Sequence, residues 1–314
     1  MSNGSEYTYP RGWFVVSFSN ELKAGDVKPM RYFGQDLVLF RTEEGQPCII
    51  DAHCPHLGGH LGHGGRVEGD SIRCPFHAWT FNGKGECTGV PYAKKIPKKS
   101  SMRAWPVSER NEMIFVYHDP EGQEPEFEIP LLAECGDPEW MPWDHSVLHI
   151  KTHPREIVEN VADLGHFKPV HGTVPEVFEN NFEGHRATQI NKGKAYPRGG
   201  GVDEYALTAT YHGPGYQVTQ MSGVLESRLV NAHTPIDENS LDLRFAVSLR
   251  IARDRETTAR FSKMYIDNLR TGFLEDVAIW EHKVYRDKPI LCDGDGPIPG
   301  LRRWYSQFFR PSVS

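Results

Sequence analysis

Four residues constrain this chain more than any others: Cys54-Pro55-His56 and, seventeen residues further on, Cys74-Pro75-Phe76-His77. Two thiols and two imidazoles also suit tetrahedral zinc, so zinc is the competing account. Ordinary zinc modules, however, pair Cys with Cys and His with His. Here each short segment offers one of each. A two-iron cluster asks for that mixture, with both thiolates on one iron and both imidazoles on the other, so two facing loops each span both metals. Pro55 and Pro75 stiffen the loops, and Gly58, Gly59, Gly62, Gly64 and Gly65 let backbone amides approach the bridging sulfides. His53, His60 and His63 fall outside the spacing and read as solvated loop residues. Cys48 and Cys87 lie in strand-like runs and read as buried hydrophobes.

The surrounding pattern is one of strands. Trp13–Phe18, Leu37–Phe40, Cys48–Ile50 and Ile114–Tyr117 are short apolar runs cut by turn residues. With 30 Gly and 23 Pro in 314 residues, many turns and a β-rich or α+β chain are expected. Asp119 to Pro130, carrying Pro120, Gly122, Pro125 and several Glu, reads as an exposed linker, which predicts one domain over 1–120 and another over 121–314. A net charge of −7 argues against a nucleic-acid partner. Six cysteines are too few for a disulfide framework in so long a chain and suit a reducing compartment. No apolar run approaches the ~20 residues of a membrane span, and no signal core precedes Trp13. The expectation is a soluble, cytoplasmic protein without a membrane span.

A cluster alone needs only the first third of the chain, and the remainder holds a second constellation. The spacing predicts a helix from Pro154 to about Lys168, with Asn160, Asp163 and His166 at i, i+3 and i+6 along one side. Pro169 cannot continue a regular helix, so His171 follows a break and is free to swing toward His166. Two imidazoles and a carboxylate on one face are the ligand set of a non-haem iron(II) centre that activates dioxygen. The carboxylate comes from a second predicted helix, Glu256 to Tyr285, whose Ile266, Leu269, Phe273, Val277, Trp280 and Val284 form an apolar face. At 100° per residue Asp276 falls near the centre of that face and Glu275 points well outside it. An acid there is costly unless it binds metal or pairs with a buried Arg or Lys. Residues 181–251 read as further strands, including Tyr205–Tyr211 and Leu241–Ile251, with Lys192–Gly201 as a loop.

The first four residues, extended by Ala78, Trp79, Gly83, Gly85 and Pro91, resemble the Rieske 2Fe-2S domain. Asn160, Asp163, His166 and His171 with Asp276 resemble the catalytic domain of Rieske non-haem iron oxygenases. That resemblance implies a helix-grip (START-like) α+β catalytic domain following the antiparallel-β cluster domain, and a ring of subunits, commonly a homotrimer. It also implies that Asp163 links the cluster histidine of one subunit, here His77, to the iron histidine His166 of the next. Asp163 can equally serve to orient His166, and Asn160 is either a site residue or a packing residue. Tyr9 to Trp13, Val90 to Ala93, Phe178 to His185, Gly272 to Trp280 and Arg302 to Tyr305 are similar to the oxygenase component of 3-ketosteroid 9α-hydroxylases and related sterol-acting enzymes, cholesterol 7-desaturases among them. The expected activity is therefore hydroxylation of a steroid or sterol-like substrate with O2. Sterol desaturation or demethylation and oxidation of aromatic compounds are alternatives within the family.

No Gly-x-Gly-x-x-Gly follows a strand, so NAD(P)H would act only through a separate reductase or ferredoxin. Lys94, Lys95, Lys98 and Lys99 read either as a solvated loop or as a docking patch for that donor. A Rieske electron carrier without catalysis, or an iron–sulfur regulator, would lack the second constellation. Val174, Val177, Phe178, Val224 and Leu225 suit either a greasy pocket or ordinary core.

Overall fold

The structure, a computed structural model, describes residues 7–196, 201–223 and 225–310. Val224 and part of the 192–201 segment fall outside the described residues. The chain divides into two compact units, one of residues 11–128 with 234–237, the other of 7–10, 129–233 and 238–310.

The first unit is entirely antiparallel. Gly12–Phe18, Met113–His118 and Val107–Arg110 form one sheet, and Val27–Tyr32, Gln35–Arg41, Pro47–Asp51 and Ala104–Trp105 a second. Arg66–Glu68, Ser71–Arg73, Thr80–Asn82 and Cys87–Gly89 form a third. Phe33 and Gly34, both at positive φ (53° and 70°), make the two-residue hairpin turn whose twist matches that of the strands it joins. Val38, Phe40, Ile50, Leu61, Ile72, Trp79 and Phe81 bury together around Cys54 and Cys74.

Residues 119–128 stay with this unit. Positions 120–124 are exposed, but Asp119 is buried and its carboxylate accepts from the Glu121 and Gln123 amides. Glu126 pairs with Arg11, and the Trp13 indole donates to the Phe127 carbonyl. The segment predicted to be an exposed linker is thus held against the first unit, which runs to Glu128.

The second unit is built on a seven-stranded antiparallel sheet. Its order is Asp144–Ile150, Ser240–Leu249, Ser227–Asp237, Tyr216–Ser222, Asp203–His212, Arg186–Ala195 and Thr173–Glu183. Pro175, which has no N–H to give, sits on the edge strand beside a bulge. The strand Arg186–Ala195 takes in residues expected to belong to the 192–201 loop. Along Ser240–Leu249 the alternate residues Leu241, Leu243, Phe245, Val247 and Leu249 are buried against Ile266 and Trp280. Those two belong to α3 (Arg255–Trp280), capped by Asp254, whose carboxylate accepts from the Thr257 amide at 2.7 Å. One long helix packed on a seven-stranded antiparallel sheet fits the expected α+β architecture.

Three helical expectations need correction. α3 ends at Trp280, and Val284 is exposed beyond it. The helix expected over 154–168 is two short ones, α1 (Pro154–Glu159) and α2 (Phe167–His171). Between them the Asn160, Val161 and Ala162 amides bond three residues back, and the Leu164 amide turns away to the Asp295 carbonyl at 3.2 Å. Pro169 does not break a helix. It occupies the first turn of α2, where its missing N–H would have had no partner. A fourth helix, α4 (Ile298–Ser306), follows. Among the described residues no helix is long and apolar enough to cross a membrane.

Candidate functional site

In the first unit Cys54 and Cys74 each head a tight turn. The Gly58 amide donates to the Cys54 carbonyl at 2.9 Å and the Ala78 amide to the Cys74 carbonyl at 3.1 Å, with Ala78 held at φ 61°. Both thiols are 3% exposed, free of any disulfide, and interact with each other. Burial pushes the Cys54 thiol up to about 11, and a bound metal would favour the thiolate. The rings of His56 and His77 lie 4.6 Å apart at 76°. His56 Nδ1 is buried and has no hydrogen-bond partner. A Cβ on Gly59 would sit 3.1 Å from the Cys74 sulfur, a tight contact that would make the neighbouring atoms shift by a few tenths of an ångström. Two thiols and two imidazoles with an orphaned ring nitrogen are the donors a Rieske cluster takes, and the residues fit it. His60 is not simply solvated: its Nδ1 accepts from the Gly62 amide, and its ring sits between His53 and His63. Cys48 is buried as expected, and Cys87 is half-buried.

The second constellation converges in the other unit. Ligand atoms of His166, His171 and Asp276 all lie within 4.8 Å of one another. His166, at the start of α2, turns Nδ1 to the Asp163 carbonyl at 2.8 Å, which leaves Nε2 as the free lone pair. His171, closing α2 before Gly172 at φ 65°, faces Asp276 Oδ2 with Nε2 at 3.3 Å. Asp276 projects from α3 and is 6% exposed. Among the described residues no Arg or Lys pairs with it. Its neighbours are His171 and the Asn160 amide, which donates to Oδ2 at 3.3 Å. A buried carboxylate facing two imidazoles rather than a guanidinium is a donor set that suits a divalent metal ion.

Burial alone would depress His171, but Asp276 and then Glu275 outweigh it and raise its pKa. Glu275 therefore departs from the helical-wheel expectation: its Oε2 is 3.7 Å from His171 Nδ1. Asp163 stands behind His166, its Oδ2 3.6 Å from Nδ1. Burial works against ionising Asp163, yet its contacts with His166 prevail and hold its pKa low.

Asn160, His166, His171 and Asp276 line a cavity of about 190 Å³ in the second unit. Val161, Phe167, Leu207, Leu229, Phe273 and Trp280 give it apolar walls, and Gln189, Tyr211, Gln217, Thr219 and Asn231 add polar groups from neighbouring strands. Gln189 and Asn231 are 4% and 7% exposed, yet Gln189 Nε2 and Asn231 Oδ1 have no partner. Val174, Val177, Phe178 and Leu225, the residues suspected of shaping a pocket, do not line it.

Such a pairing of centres, a Cys2His2 set on one antiparallel unit and a two-histidine, one-carboxylate set under a helix-gripped sheet, defines a Rieske-type oxygenase. Comparison with known proteins agrees. Residues 12–101 match the Rieske [2Fe-2S] domain, and residues 116–309 match the 3-ketosteroid 9α-hydroxylase C-terminal domain. The chain belongs to the family of 3-ketosteroid 9α-hydroxylase oxygenase components. It is 37% identical to the oxygenase component of a 3-ketosteroid-9-alpha-monooxygenase from Rhodococcus rhodochrous, over 96% of this chain and 84% of that one. It is 30% identical to cholesterol 7-desaturase nvd 1 of Ciona intestinalis, over 96% of this chain and 69% of that one. A crystal structure of dicamba monooxygenase bound to dicamba shares the fold, with a TM-score of 0.78 over 97% of this chain and 98% of that one at 19% identity.

Proposed function

We propose that the chain is the terminal oxygenase of a multicomponent monooxygenase of the 3-ketosteroid 9α-hydroxylase type, hydroxylating a steroid or sterol-like substrate. The observation that carries this reading is the convergence of His166, His171 and Asp276 on a cavity with apolar walls, in which Gln189 Nε2 and Asn231 Oδ1 are left without partners. The overall reaction is RH + O2 + 2 e− + 2 H+ → ROH + H2O. When bound, the 2Fe-2S cluster on Cys54, His56, Cys74 and His77 would pass on electrons singly, and iron(II) on His166, His171 and Asp276 would activate dioxygen.

The chain's own residues supply placement. The Asp163 carbonyl fixes the His166 tautomer, Asn160 steadies Asp276, and Phe273 and Trp280 line the cavity with apolar surface. Gln189 Nε2 offers a donor and Asn231 Oδ1 an acceptor to an oxygen-bearing substituent on an otherwise apolar substrate. The Asp163 side chain remains 38% exposed, leaving it room for a second partner. That supports its role as the bridge to the partner cluster's histidine in a homotrimer. Residues 1–120 would hold the cluster and 121–314 the iron and substrate. NAD(P)H would be used through a separate ferredoxin reductase, in the cytoplasm, where thiols stay reduced.

Metal analysis tests the reading: about three irons per chain are expected, falling to about two in Asp276→Ala with the visible cluster spectrum intact. Full iron with full turnover in that variant would overturn the ligand assignment. Oxygen uptake with 3-ketosteroids, sterols and small aromatics tests the substrate, and uptake confined to aromatics would overturn the steroid class. Resemblance to the cholesterol desaturase makes sterol desaturation the second reading, recognised by an alkene product in place of an alcohol.

A further inference from the structure

Lys94, Lys95, Lys98 and Lys99 are all exposed, and none has an ion-pair partner among the described residues. In a chain of net charge −7, four unpaired cations within six residues make a local reversal of sign. The run starts two residues after Tyr92, whose ring is 62% exposed. The Tyr92 hydroxyl accepts the indole N–H of Trp79 at 2.8 Å. Trp79 is 7% exposed and lies face to face with His56, centroids 4.8 Å apart and planes 8° from parallel. A surface phenol is thereby joined to a cluster ligand through one hydrogen bond and one ring stack. His77 stands nearly perpendicular to His56 and has the exposed Phe76 against it at 3.8 Å.

We propose that residues 92–99 are the docking surface for an acidic one-electron carrier protein, and that its electron reaches the cluster through Tyr92, Trp79 and His56, leaving His77 for onward transfer. The inference rests on the four cluster ligands proposed above. One electron leaves the donor, which is oxidised, and one arrives on the cluster, which is reduced; no proton moves. Attraction between an acidic face and the four lysines speeds encounter and weakens as salt screens it.

The test uses the loaded full-length protein with reduced plant-type [2Fe–2S] ferredoxin as donor, following cluster bleaching by stopped flow and binding of oxidised ferredoxin by calorimetry. The wild-type second-order rate constant should fall as NaCl rises. Replacing the four lysines together (K94E, K95E, K98E, K99E) should lower it about ten-fold or more at low salt, weaken binding and flatten the salt dependence. Tyr92→Phe should bind ferredoxin but reduce more slowly at saturation. A salt-independent rate, an unchanged rate and Kd in the lysine variant, or a wild type that dithionite reduces and ferredoxin does not would overturn the proposal. So would a change in assembly mass in the lysine variant, which would mark the patch as a contact between copies. A wild type with no cluster spectrum would instead overturn the ligand assignment beneath it.

Discussion

Gln189 and Asn231 are the residues through which the proposed substrate recognition can be tested one side chain at a time. Each leaves a buried polar atom unpaired, a cost of about 1–3 kcal/mol that a ligand carbonyl would relieve at Gln189 Nε2 and a ligand hydroxyl at Asn231 Oδ1. Gln189→Leu should therefore raise KM for a ketosteroid about ten-fold or more, while a substrate lacking the ketone is held as well as before. Equal losses on both substrates would mean that Gln189 only shapes the wall. The proposed metal donors are legible because Cys54, His56, Cys74 and His77, and later His166 and His171, sit at short fixed spacings. Gln189, Gln217 and Asn231 carry no such mark. Each is one inward position on a different strand, brought together only by sheet register. Glu275 was misplaced because a helical wheel places Cβ atoms, and a long side chain can swing its carboxylate back toward His171.

At the level of elements, the turn between α1 and α2 decides whether the site forms. It is locked from outside by the segment Cys292–Gly296: the Leu164 amide donates to Asp295, and a Cβ on Gly296, at φ 81°, would lie 2.3 Å from the Ala162 carbonyl oxygen. Gly296→Ala should lower stability by roughly 1–3 kcal/mol and reduce bound iron while leaving the cluster spectrum alone. An unfolding midpoint and iron content equal to wild type would show the turn to be held elsewhere. The same contact explains why one helix was expected where two exist. Residues 154–168 are locally helical, and what bends them is a partner about 130 residues away, which no local pattern encodes. α3 was read well because its stripe is periodic and long, and Asp276 within it was an anomaly that demanded an explanation.

For the whole molecule, the acid side of the stability curve is set by histidines buried in the second unit. Burial drives His233 down to about 3, and His153 and His212 to about 4, each with a smaller push from neighbouring charges. Their unfolded values lie near ~6.5, so below that pH the unfolded chain binds protons that the folded one refuses. Stability is fully present above pH ~6.5 and is lost as pH falls toward 4, at up to about 1.4 kcal/mol per pH unit for each histidine. Urea midpoints at pH 7, 6 and 5 should fall accordingly, and more gently in His233→Leu. A flat profile would contradict it. The division into two chemistries was legible at this scale from the motifs. That residues 234–237 fold with the first unit was not, because they continue a strand of the second without any break in pattern.

The proposed donors of the mononuclear site stand on unequal footings. Asp276 hangs from a helix of 26 residues anchored along the sheet, whereas both histidines belong to a five-residue helix and the turn before it. A backbone so briefly helical owes little of its order to itself, and iron pulling on both imidazoles would hold it shut. Protease accessibility between residues 160 and 172 thus becomes a gauge of loading. Metal-depleted protein should be nicked there first, and iron(II) should slow that cut while cleavage elsewhere proceeds at its former pace.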